Sequence, residues 1–328
     1  MVLAAVAAVV GGLYVIPSDH YLVLPDRARP ADPLVSVPGE EKGNESAGGI
    51  YMVDVLLRKA SVLERIFPGI EEGSSLVPAE QINPVGVSDE ERRESSLNEM
   101  SRSQQIAAAV ALESLGRKVT VEPNGVEVTL VRPDFPADGK LEIGDVILRA
   151  SGSQTRTTEQ LRNVMCEVKP GEDVQLVVDR GGTRKEISVG TTRAEPEDPE
   201  CLGAVFGVQI QQSADIELPV AVKINAGNIG GPSAGLAFAL DIVDELGRDL
   251  DRGKTVVATG AIQLDGTVGP IGGIQQKTIG ARQAGADLFL VPDENAAEAR
   301  RYAEGMRIVA VSNFKESLSA LAPESSPD

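Results

Sequence analysis

From Leu202 to Leu321 short apolar runs alternate with amphipathic stretches of helical period. That alternation restricts this part of the chain to a mixed α/β or α+β domain. The spacing predicts strands over 205–210, 218–224, 255–259, 288–291 and 306–311, and helices over 233–246, 274–284, 294–303 and 315–321. A chain of 328 residues holds about two domains, and the segment upstream differs in kind. There Val126–Val131 alternates like a half-buried strand, Pro133–Gly139 is a turn cluster, a helix is predicted over 158–168 and a strand over 173–179. Further upstream the pattern predicts a strand over 49–55, a short helix over 60–66 and a strong amphipathic helix over 100–115 that stops at Gly116. The charged run Asp89–Glu94 reads as a solvated loop or helix face. Residues 18–48, rich in Pro, Gly and acidic side chains from Asp26 onward, read as a linker. Residues 49–117 are then a strand and helix region.

At the N-terminus Val2–Ile16 is apolar and uncharged. Fifteen residues reach about 22 Å as a helix, against a hydrocarbon core of about 30 Å. That is short for a membrane span and long enough for the hydrophobic part of a signal peptide or signal anchor. Residues 1–17 are therefore read as a signal or anchor segment contacting the membrane, with a buried globular helix as the competing reading. Residues 323–328 read as a disordered tail.

Composition removes several chemistries. Lys and Arg total 31 and Asp and Glu 49, a net charge of −18, so the chain repels phosphate backbones and nucleic acid is excluded as a partner. Aromatics make up 3% and there is no Trp, which argues against stacking platforms. Histidine occurs once, at His20, and cysteine twice, at Cys166 and Cys201. No His-rich metal site is expected and no cofactor is implied. A Ser-His-Asp triad is equally out of reach unless His20 serves it, and His20 sits beside the apolar N-terminal segment. Two cysteines make no disulfide scaffold, and whether they pair is open.

Two motifs point elsewhere than they first suggest. Gly253-Lys254-Thr255 ends like a nucleotide-binding P-loop, but Gly247 lies one residue too far upstream and the motif leads into a strand instead of a helix, so no nucleotide site is expected. Gly231-Pro232-Ser233-Ala234-Gly235 fits the nucleophile elbow of α/β-hydrolases, yet no histidine follows Ser233. A nucleophilic serine then needs another base. Ser233 lies between small residues at the start of an apolar helix, whose N–H groups suit an oxyanion. Lys277, in a stretch otherwise without charge, suits the base, because burial lowers a lysine pKa. Taken singly, Ser233 reads equally as a helix N-cap and Lys277 as an exposed helix lysine.

Together these residues resemble a family. GGPSAGLAFALDIV followed by TGAIQLDGTVGPIGGIQQKTIGARQAGADLFLVPDEN is similar to the proteolytic domain of Lon-type serine peptidases, peptidase family S16, over about residues 200–322. The resemblance implies a ribosomal protein S5 domain 2-like α+β fold, with Ser233 as nucleophile, Lys277 as general base and Thr259 orienting the lysine amine. The backbone N–H groups of Ser233 and Ala234 would form the oxyanion hole. Ala261 stands where many members carry glutamate. FPADGKLEIGDVILRASG resembles a PDZ domain, over about 118–193. That implies an extended peptide added to the strand edge at Val126, Val128 and Leu130, beside the helix at 158–168, with Asn124 and Gly125 offering N–H groups to a terminal carboxylate.

The order of anchor, PDZ and Lon-type domain resembles a bacterial group of membrane-anchored peptidases whose catalytic part faces outside the cytoplasm. The loop charges Arg27 and Arg29 point the other way under the positive-inside tendency. The expectation is an ATP-independent serine endopeptidase acting on unfolded or extended proteins, in a single-pass membrane protein. The Lon-type resemblance implies assembly into a hexameric ring. The competing readings are a peptide-binding scaffold without turnover and a peptidase limited to autoprocessing.

Overall fold

A computed structural model of the chain describes residues 10–40, 48–69, 71–83, 87–193 and 203–322. The chain divides into two compact units. One comprises Met1–Ile82, Met100–Val119 and Leu218–Asp328, and the other Asn83–Glu99 and Thr120–Glu217.

The first unit is built on a five-stranded sheet in the order Arg29–Pro30, Gly49–Met52, Thr255–Ala258, Leu288–Pro292, Arg307–Val311. The last four strands run parallel and the first is an antiparallel edge. The central strands are apolar without alternation because both faces are covered. Val256, Val257, Ala258, Phe289, Leu290 and Val291 are all fully buried, and each large side chain removed from water contributes about 1.5–3 kcal/mol. The covering helices include Gly235–Glu245, buried from Gly235 through Val243, and Ile274–Gln283. A second, antiparallel sheet places Pro17–Pro25 between Val55–Ser61 and Ser75–Pro78. It closes over Leu22, Leu24 and Ala60. The short helix Val62–Ile66 that follows is held by a capping box between Ser61 and Glu64.

This arrangement corrects the sequence reading in three places. The stretch 18–48, read as a linker, supplies most of the central strand of one sheet and the edge strand of the other. The predicted strand over 49–55 breaks at Val53-Asp54 into two strands that belong to different sheets. The predicted strand over 218–224 is reduced to Lys223–Ile224. The four predicted helices between 233 and 321 are present within two residues at each end. The N-terminal segment is helical at 10–15, and no helix among the described residues is long and apolar enough to cross a membrane. Residues 1–9, Cys201 and the predicted tail at 323–328 lie outside the described residues.

The second unit is an antiparallel sheet in the order Thr183–Gly190, Asp173–Arg180, Val146–Ala150, Thr120–Val131, Val208–Glu217. Val126 and Val128 turn inward and meet Ile147, Leu161 and Leu176 in one core, and Leu130 is buried on the same strand. The helix Thr158–Cys166 is capped by the Thr157 hydroxyl, and Cys166 at its end is disulfide-bonded. The strand expected over 205–210 in the C-terminal domain proves to be the outer strand of this sheet. It pairs with Thr120–Val131 from Val208↔Val131 to Glu217↔Thr120, a long-range register that local patterning does not reveal.

Candidate functional site

Ser233 sits in a single 3-10 turn, Pro232–Ala234, that runs into the buried helix Gly235–Glu245. Gly231 enters that turn at φ +82°, a left-handed conformation that favours glycine. Gly235 is required by space: a Cβ there would stand 2.5 Å from Ser103 Oγ and 2.8 Å from Ile262 Cγ2. The Ser233 carbonyl accepts from the Gly260 N–H at 2.8 Å and from the Thr259 hydroxyl at 3.1 Å. The serine turn is thereby pinned to the end of the strand Thr255–Ala258.

Lys277 lies in the first turn of the helix Ile274–Gln283, which opens from Gly273 in the left-handed region. Its side chain is buried, with the residue 3% exposed. The amine Nζ stands 2.6 Å from Ser233 Oγ and 3.2 Å from Thr259 Oγ1. Among the described residues it forms no ion pair. Burial pushes the amine pKa down from 10.5 to about 8, with the negative charge of Asp54 opposing the fall. At such a value roughly a tenth of the amine is neutral at pH 7, against about four parts in ten thousand for a free lysine.

Three residues predicted from sequence, Ser233, Thr259 and Lys277, are therefore brought together from three separate elements. Ser233 and Lys277 border a cavity of about 970 Å³ whose other walls include Val23, Leu57, Ile229 and Ile271, and Thr259 lies buried behind them. Ala261 does not line it. Sequence reading missed the contribution of the N-terminal strands, and with it Asp54, Arg29 and Asp26, which also line the cavity. The visible signal was slight: Asp54 is the one charge interrupting the apolar run Ile50–Leu57. His20, in the strand Pro17–Pro25, has its ring Nδ1 3.0 Å from Asp19 Oδ1 and is not part of the cavity wall.

The predicted peptide groove needs correction. The strand carrying Val126, Val128 and Leu130 has Val208–Glu217 along one edge and Val146–Ala150 along the other, so no peptide can add there. Those three side chains are core. Asn124 is committed to Asp215 through its amide at 2.7 Å, and the Gly125 carbonyl accepts from Gln212 at 3.0 Å. The strand beside the helix Thr158–Cys166 is instead Val208–Glu217, the outer strand of the sheet. Between the two runs an apolar cavity of about 630 Å³ lined by Leu161, Met165, Phe206, Val208 and Ile210. Ile210 is 38% exposed, unusual for an isoleucine in a strand.

Residues 205–322 match the family model of the Lon protease (S16) C-terminal proteolytic domain, and residues 113–191 match the PDZ domain model. Lon protease 2 of Bacillus subtilis (strain 168) is 40% identical over 90 residues, covering 27% of this chain and 16% of the relative. Lon protease 1 of Sorangium cellulosum (strain So ce56) is 27% identical over 212 residues, covering 63% of this chain and 26% of the relative. The matched part thus spans about a quarter or less of these curated relatives. A solved PDZ domain of an SdrC-like protein from Listeria innocua is 26% identical over 26% of this chain and 92% of that chain, with a TM-score of 0.24.

Proposed function

We propose that this chain, which joins a PDZ domain to a Lon-type serine-peptidase domain, is an endopeptidase in which Ser233 attacks and Lys277 is the general base. The observation that carries the reading is the 2.6 Å approach of a buried amine to a serine hydroxyl, with the sole histidine elsewhere.

In the neutral form, Lys277 donates one N–H to Thr259 Oγ1, and the Thr259 hydroxyl donates its own hydrogen bond to the Ser233 carbonyl. That chain of bonds aims the amine lone pair at Ser233 Oγ. As Oγ bonds to the peptide carbonyl carbon, its proton moves to Nζ and the carbonyl π pair becomes an oxyanion. The amides of Ser233 and Ala234, at the head of a buried helix, receive that oxyanion. Collapse expels the amine product, which leaves with the proton from Nζ. Water activated by Lys277 then releases the acyl group.

The substrate is an unfolded or extended protein, because an open cavity admits a chain that is already extended. The turn Asp251–Lys254 leads into the strand Thr255–Ala258, whereas a phosphate loop opens a helix. The PDZ domain selects peptides by adding them to the edge of Val208–Glu217, with an apolar side chain between Leu161, Met165 and Ile210. The uncharged N-terminal segment holds the enzyme at a membrane, facing outside the cytoplasm. A disulfide at Cys166 fits an oxidising compartment.

The test is incubation of the full chain, Ser233→Ala and Lys277→Ala with an unfolded protein in the absence of ATP, with fragments followed by mass spectrometry. Cleavage by the parent alone is the expected result. Cleavage that survives Ser233→Ala, or none by a folded parent, overturns the reading.

A further inference from the structure

Asp54 is a buried carboxyl that the mechanism above does not use. It lines the same cavity as Ser233 and Lys277. The chain on either side fixes its place. A Cβ at Gly280 would stand 3.2 Å from Val53 Cγ2, and one at Gly273 would stand 3.0 Å from Val55 Cγ1. The neighbours of Asp54 therefore abut the lysine helix one turn after and one turn before Lys277. One carboxylate oxygen, Oδ2, pairs with Arg29 Nη2, while Oδ1 is buried without a hydrogen-bond partner. Such a half-satisfied carboxylate is costly to keep.

We propose that Asp54 is a positioning residue for the Ser233–Lys277 pair: its carboxylate, clamped by Arg29, compensates the ammonium that forms when Lys277 takes the serine proton. The proposal rests on the Ser–Lys reading. The proton transfer leaves a positive charge on Nζ, whose partners are two neutral hydroxyls, and a buried cation without a counter-charge is strongly disfavoured. Asp54 is the carboxylate whose charge raises the proton affinity of Lys277 against burial, and Lys277 acts back on it. The charged groups facing Asp54 are Arg29, Asp26 and Lys277; Asp26 lies 3.6 Å from Arg29 Nη1. Glu298 is the remaining carboxylate on the cavity wall. Burial pushes the Asp54 pKa up and Asp26 adds to the rise, while the positive charges of Arg29 and Lys277 oppose it.

The experiment compares the full chain with Asp54→Asn, Asp54→Ser and Asp54→Glu. It reads the pH profile of kcat/KM and, in the resting protein, the titration of Lys277 followed by NMR of its ε-carbon, assigned with Lys277→Arg. Both neutral variants should lower the titration point of Lys277 by about one pH unit and move the acid limb equally. The plateau should fall about 10-fold or more, and Glu should restore the limb. An unmoved titration point in a folded neutral variant, with activity lost evenly at every pH, would mean that Asp54 merely braces the fold, and overturns the proposal. Should neither neutral variant fold, the Glu variant decides: a wild-type titration point supports the proposal and a fall of a unit contradicts it. The resting titration needs no turnover. A parent that cleaves nothing sinks the peptidase reading, whereas an active parent with an unmoved limb in Asp54→Asn sinks only this one.

Discussion

A lysine amine taken out of water holds its proton less tightly, and the consequences of burying Lys277 run beyond catalysis. In the proposed mechanism the neutral amine is the active form, so kcat/KM should rise as pH passes through about 8 and level off above it. Below that pH the folded chain carries a buried charge. Because the folded value lies below the unfolded one, folding costs more at low pH, and the cost fades as pH climbs from about 8 toward 10.5. Replacing the amine with an apolar chain removes it. Lys277→Met should be inactive yet melt about 2–4 °C higher than the parent at pH 7, with the difference shrinking by pH 10. Melts followed by circular dichroism check this, and a lower Tm for the variant at pH 7 contradicts the burial account. Ser233 and Lys277 were legible in sequence because their neighbours are small or uncharged and histidine is lacking. Asp54 was not, since a lone aspartate in an apolar run carries no mark of what it will face.

Helix Ile274–Gln283 owes its position to a glycine. A Cβ at Gly280 would fall 1.9 Å from the carbonyl oxygen of Asp26, and the Ala28 N–H bonds to the Gly280 carbonyl at 3.2 Å. Backbone packs on backbone there, and a methyl group can only be admitted by moving one of them. Gly280→Ala should therefore cost about 1–3 kcal/mol and displace Lys277 from Ser233, lowering both Tm and activity. Full activity in that variant would show the helix placement to be tolerant. In the other unit, Ile210→Asp puts a charge into the apolar groove and should weaken peptide binding at least 10-fold while leaving the fold intact. Fluorescence anisotropy with a labelled peptide measures it, and unchanged affinity would place the groove elsewhere. Element types were largely readable and their ends less so. The helix predicted to begin at 100 starts at Asp89. Its acidic first turn suits the helix dipole, and Ser88 with Glu91 forms a capping box. That signal lay in the run read as solvated, where charge density masked it.

At the scale of the whole molecule, the domain boundaries written along the sequence are not those of the fold. The strand Gly49–Met52 runs parallel to Thr255–Ala258 and separates it from the edge strand Arg29–Pro30. A peptidase unit cut at residue 200 would lose both, exposing Val256 and Val257 along one edge of its sheet. A fragment of residues 200–328 should therefore fail to fold, as read by far-UV circular dichroism and amide dispersion in NMR; a cooperative melt for it would contradict the topology. The interleaving escaped the sequence because parallel pairing across some 200 residues leaves no local periodicity. The central claim, that Lys277 activates Ser233, is tested most directly by the covalent intermediate. The full chain and Lys277→Ala would be treated with a serine-directed fluorophosphonate across pH 6–10, with the adduct mapped by intact mass and peptide sequencing. A single adduct on Ser233, forming faster as pH passes through about 8 and lost in Lys277→Ala, is the predicted result. Adduct formation on Ser233 at parent speed in Lys277→Ala, or labelling at another residue, would contradict it.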